Sequence, residues 1–185
     1  MGLLLFVAGL LGSTAPEFSL FTPDGRMWRL ADALREKPAV LLHAGDCKET
    51  VTVPDSVRLL AIRPSACGAY RDPSGAARRY LGQAKAVLLD REGIVRMVAT
   101  GHLKTFSREV AVWARGSEIY TAQCQRCHGT DGKDTHYSGI KTLAGIGKRI
   151  TRAEIIERTI HSGLVDLTSL DAEARRALAA YVAGL

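Results

Sequence analysis

Cys124-Gln125-Arg126-Cys127-His128 is the stretch that most restricts what this chain can be. Its two thiols are one helical turn apart, and an imidazole follows at once. Cysteines at this spacing serve a zinc half-site, a redox dithiol or covalent capture of a porphyrin. Zinc closure needs a second Cys/His pair at ligand spacing. No cysteine follows Cys127, and His136 and His161 are too scattered to supply one. A dithiol has no use for a histidine at that offset. A porphyrin uses all three residues, with thioethers to its two vinyl groups and an imidazole under its iron.

The flanking sequence agrees with that choice. Upstream, Gly116 and Tyr120 are four apart and share one helical face. Downstream comes Gly129-Thr130-Asp131-Gly132. The closing segment, Asp171 to Val182, reads as a helix with Ala174, Leu178, Tyr181 and Val182 on one stripe. Together, G-x-x-x-Y, C-x-x-C-H-G and a last helix ending L-x-x-Y-V resemble the class I cytochrome c family, from about Trp113 to Leu185. The resemblance implies one covalently attached haem c, with its iron ligated by His128 and its thioethers at Cys124 and Cys127. It also implies that the first and last helices cross, with Gly116 allowing close approach beside Tyr181.

The distal side departs from that family. Its sixth iron ligand is a methionine before the last helix, yet Met1, Met27 and Met97 all precede Trp113 here. Thr151-Arg152-Ala153-Glu154 predicts a capping box opening a helix through Ile155, Ile156 and Ile160. Only Leu164 to Leu170 then remains before the last helix, so the methionine loop is shortened. His161, at the end of the preceding helix, is the favoured replacement, with His136 as the alternative axial ligand. Met27, Met97, His43, His102 or an open position complete the possibilities. Loss of methionine lowers the expected potential, whereas an open site invites peroxide or nitric oxide. Leu143 is expected to pack on the haem face and Arg149, more than Lys148, to meet a propionate, since a guanidinium can engage both carboxylate oxygens.

Residues 16–112 alternate between strands and helices. Phe18 to Phe21 leads to a Thr22-Pro23-Asp24-Gly25 turn, and Leu30 to Lys37 is a helix ended by Pro38. Ala39–His43 and Val57–Ile62 read as buried strands. Ala86–Asp90 and Ile94–Thr100 form a hairpin about Arg91-Glu92-Gly93, and Leu103–Trp113 is a closing helix. This order, with Ala15-Pro16-Glu17-Phe18 and Leu88-Leu89-Asp90-Arg91-Glu92-Gly93, resembles the redoxin branch of the thioredoxin fold. Where that fold carries C-x-x-C, this chain keeps only Cys47, and the connection after it leaves no room for a full nucleophile helix. Lys85 stands before the hairpin strand where the family has a cis-proline. Dithiol exchange is therefore not expected. Cys47 and Cys67 are candidates for a disulfide in an oxidising compartment, or Cys47 for a lone reactive thiol.

Residues 1–15 are an apolar leader ending in small residues, about half a bilayer span in length and signal-like. The net charge of +6 is dispersed, which argues against nucleic acid and allows acidic or membrane-bound redox partners. The expected architecture is an α/β thioredoxin-like domain (16–112) followed by an all-α cytochrome c domain (113–185), with no transmembrane span. The expected protein is periplasmic or otherwise exported, soluble or weakly membrane-associated. It is an electron carrier rather than a self-contained enzyme, with its first domain used for docking. The alternatives are a haem enzyme or small-ligand sensor with an open distal site, and a structural subunit of a larger redox or photosynthetic complex.

Overall fold

The computed structural model describes residues 9–45, 48–62, 69–133, 141–161 and 167–185, and for 157 and 159–161 the backbone alone. Cys47, Cys67 and His136 lie outside the described residues, as does the side chain of His161. The chain divides into two compact units, Met1–Val110 and Ala111–Leu185.

In the first unit, β1 (Ser19–Phe21) pairs antiparallel with β2 (Met27–Arg29) across the Thr22–Gly25 turn. Helix α1 (Leu30–Glu36) follows at once and buries Leu30 and Ala33. It stops because Lys37, with φ −132° and ψ 150°, takes the extended backbone that a following proline imposes. Strands β3 (Ala39–Ala44), β4 (Val57–Ile62), β5 (Ala86–Asp90) and β6 (Val95–Ala99) form a sheet in the order β4-β3-β5-β6. The β3–β4 pair is parallel; β5 runs antiparallel to β3 and to β6.

The two central strands explain how the sheet is covered. Every residue of β5 is buried, as are all of β3 except Ala44, so neither face is open to water at the centre. Val40, Leu42, Val87 and Leu89 join Leu30 and Ala33 of α1 in one core. Ala77 and Leu81, from helix α2 (Ala76–Leu81), complete it. Leu41, His43 and Leu88 alternate to the opposite face and are fully buried too. A parallel pair extended by an antiparallel hairpin, with helix α2 between β4 and β5, resembles the thioredoxin-like arrangement. Helix α2 was not foreseen: it is short, and its apolar positions are too few to establish a period. Among the described residues between β3 and β4 there is no helix, as the length of that connection requires.

Helix α3 (Leu103–Gln123) is longer than the sequence reading, which ended one helix at Trp113 and began another before Gly116. Ala111 to Ser117 contains no proline, and a single glycine costs a helix only about 1 kcal/mol, too little to interrupt it. In the second unit, α3 leads through Cys124 into the single turn α4 (Gln125–His128). A 3₁₀ turn (Ile146–Lys148), α5 (Arg152–His161) and α6 (Ala172–Ala183) follow. The capping box at α5 forms: Thr151 N–H donates to Glu154 Oε2 (2.7 Å), and Glu154 N–H donates to Thr151 Oγ1 (3.3 Å). Asp171 caps α6 by accepting from Ala174 N–H at 2.7 Å. The buried stripe of α6 is the one the sequence pattern marks, Ala174, Leu178, Tyr181 and Val182, widened by Ala177 and Ala179. No helix among the described residues is long and apolar enough to cross a membrane.

Candidate functional site

The site is built where α3 and α6 touch. A Cβ on Gly116 would lie 2.2 Å from the Ala177 carbonyl oxygen and 2.7 Å from Tyr181 Cβ, so only glycine allows this approach. Around the contact, Trp113 packs on Tyr181 and Tyr181 on Tyr120, each pair with ring centroids 5.2 Å apart. At the rim, the Arg115 guanidinium reaches both Asp171 (3.2 Å) and Glu173 (3.5 Å) at the start of α6. These pairs are solvent-exposed and add little; the buried rings supply most of the energy.

One turn beyond Tyr120, the chain reaches the C-x-x-C-H stretch. Cys127 N–H and His128 N–H both donate to the Cys124 carbonyl at 3.1 Å, which folds the three side-chain-bearing residues into one turn. Gly129 closes the turn at φ 71°, a left-handed conformation that suits glycine. Neither cysteine is in a disulfide. Cys124 is buried, and burial, with Cys127 adding to it, pushes its thiol up to about 11. Cys127 is more accessible.

His128 is half-buried. Its Nδ1 is enclosed and makes no hydrogen bond of good geometry. Burial holds the imidazole below its usual pKa, and an interaction with the Lys141 backbone pulls it partway back. The result is a neutral imidazole at neutral pH, the form that binds a metal.

The neighbouring loop is gathered on one carbonyl. Gly132 O accepts from Leu143 N–H (2.8 Å), Ala144 N–H (3.1 Å) and Thr142 Oγ1 (2.9 Å). Leu143 is thereby placed, half-buried, beside Gly132. Arg149 is exposed and donates to the Thr142 carbonyl at 3.4 Å, so the two residues expected at the haem belong to one loop. Gly147 presses on α6: a Cβ there would lie 2.2 Å from Ala183 O. Lys148 is exposed.

The remaining distal candidates fall as follows. His161 is the last residue of α5. Met27, Met97, His43 and His102 belong to the first unit. There His43 is fully buried in β3, with Nε2 3.7 Å from Glu49 Oε2, and Glu49 is paired with Lys85 at 2.5 Å. Gly45 makes this possible, since a Cβ there would collide with both the carboxylate and the imidazole. Lys85 N–H also donates to Ala99 O at 2.7 Å, a bond that proline could not make. Sequence reasoning had not seen this cluster about a buried histidine; the mid-strand histidine in Ala39–Ala44 was its one visible signal.

Residues 111–182 match the family model described as cytochrome c oxidase, cbb3-type, subunit III, so this region is similar to a cytochrome c domain. Solved structures similar to the chain include a thioredoxin-like protein from Bacteroides caccae (12% identity, TM-score 0.41), for which 59% of this chain and 52% of that one are covered. The chain thus spans about half the length of that protein. A reduced 2-Cys peroxiredoxin from Plasmodium vivax is 17% identical, with TM-score 0.39 and coverage of 55% and 94%. A hypothetical protein from Sinorhizobium meliloti is 14% identical, with TM-score 0.40 and coverage of 70% and 89%. No curated protein matches the chain.

Proposed function

We propose that the protein is an exported mono-haem c-type cytochrome carrying single electrons, with its thioredoxin-like unit serving to dock it. The observation that carries this reading is the turn at the end of α3. There Cys124, Cys127 and a neutral, half-buried His128 are held together beside the α3–α6 contact. Cys124 and Cys127 would hold the haem through thioethers and His128 would be its proximal ligand. With Nδ1 enclosed, Nε2 is the atom that would be left for the iron. When bound, the haem supplies the one-electron couple of its iron.

The chain's own residues do the rest. The buried α6 stripe and the Trp113–Tyr181–Tyr120 rings form an apolar core that ends one turn before Cys124. On this reading the Gly132-anchored loop would supply Leu143 as an apolar wall and Arg149 as a propionate partner; the two belong to one loop, tied together through Thr142. His161 remains the favoured distal ligand, and His136 the alternative. Haem stain that survives denaturing electrophoresis and travels with the chain supports the attachment; its loss removes the cytochrome reading. Spin-state spectroscopy on His161→Ala and His136→Ala assigns the sixth position. A low-spin signal lost only in His161→Ala supports it, and one lost only in His136→Ala moves the ligand there.

The absence of methionine from residues 111–185 favours one second reading, an open distal site that senses or transforms a small ligand. A wild-type protein already high-spin and avid for carbon monoxide would select it. The description of the matched family also fits a subunit of a larger oxidase-like assembly, with acidic or membrane-bound redox partners.

A further inference from the structure

We infer that the Tyr120 hydroxyl is a positioning group for His128, acting through the Gly129 backbone. This rests on the haem reading above and adds a residue to it. Tyr120 is 1% exposed, and its hydroxyl donates to the Gly129 carbonyl at 2.7 Å in a buried hydrogen bond. A phenylalanine would fill the same space and make the same ring contact with Tyr181. What the hydroxyl adds is a hold on one carbonyl.

The position of that carbonyl gives the hold its meaning. Gly129 follows His128 and leaves the turn at φ 71° and ψ 178°, in the left-handed region where glycine's backbone is least restrained. Its N–H donates to Gln125 O at 2.8 Å, which fixes the peptide joining His128 to Gly129. Its C=O is held by Tyr120, which fixes the next peptide. Both peptides after His128 are thus tied down, one to the turn itself and one to α3. His128 Nδ1 is enclosed, so a backbone shift at these peptides is passed on to the imidazole. Holding those peptides holds the backbone from which the His128 side chain, and so its ring, is oriented.

The test is Tyr120→Phe in the full-length protein as isolated, with three readouts. The haem-methyl hyperfine shifts of the oxidised protein report the orientation of the axial imidazole, and they should change pattern. Amide exchange over residues 124–133 should quicken by about fivefold at the Gly129 and Thr130 amides, the weight of one neutral hydrogen bond. The midpoint potential should shift with the ligand plane. Unchanged hyperfine shifts and unchanged exchange would overturn the inference and leave Tyr120 as packing alone. Haem staining of the wild type separates the two claims. A negative stain defeats the cytochrome reading, and the exchange measurement then still decides whether Tyr120 pins the backbone after His128.

Discussion

Gly116→Ala isolates the closest backbone contact in the second unit. The added methyl would lie 2.2 Å from Ala177 O, 2.8 Å from Ala177 C and 2.7 Å from Tyr181 Cβ. Methyl-to-oxygen contact becomes comfortable only near ~3.3 Å, so α3 and α6 must separate locally by about 1 Å. Overpacking of this kind costs about 1–3 kcal/mol. The separation also loosens the Trp113–Tyr181 and Tyr181–Tyr120 pairs, each of which contributes about 0.5–1.5 kcal/mol beyond burial. Against this, replacing glycine by alanine in a helix gains about 1 kcal/mol. Packing wins: the net loss is about 2 kcal/mol, and the unit should melt about 8–16 °C lower. The chain has two tryptophans, so a Trp28→Phe background leaves Trp113 fluorescence as the reporter of this unit alone. An unchanged or higher midpoint in Gly116→Ala would show that propensity outweighs packing and refute the close approach.

Three further outcomes follow from the structure. In the haem-free chain, the stabilisation tied to the buried Cys124 thiol should be complete below pH ~9. It should fade as pH rises toward about 11, because the folded-state pKa is raised above the unfolded value; alkylation of Cys124 followed by peptide mapping should show the same late midpoint. Gly147→Ala should destabilise the second unit, since its Cβ would meet Ala183 O at 2.2 Å, whereas Gly101→Ala, with nothing within 4 Å, should not. Thermal melts compare the two. Insulin reduction should stay at background in wild type and in Cys47→Ser alike; thioredoxin-like turnover that Cys47→Ser abolishes would contradict this expectation.

Much of the α6 face could be read in advance because helical burial repeats with a fixed period. Ala174, Leu178, Tyr181 and Val182 mark that period directly, and the capping box at Thr151 and Glu154 is equally local. Strands β3 and β5 were visible as short apolar runs because both of their faces are buried. Helix α2 and strand β2 escaped notice because each is too short to show a period. The extent of α3 was missed for another reason. The motif differences on either side of Trp113 mark two units, but they carry no local signal to stop a helix.

The sequence by itself determined the chemistry of the second unit: which two thiols and which imidazole share one turn, and that no methionine lies in residues 111–185 to serve as a ligand. Spacing along a helix sets that, and spacing is local. Tertiary structure decided which groups surround them. Lys141 is brought to His128, the Ala177 carbonyl to Gly116, and the Gly129 carbonyl to the Tyr120 hydroxyl. It likewise brought Glu49 and Lys85 together beside His43 in the first unit. Each of these contacts depends on where the backbone turns and how closely two segments approach. Turn geometry and close packing are properties of the folded chain, and no residue pattern specifies them alone.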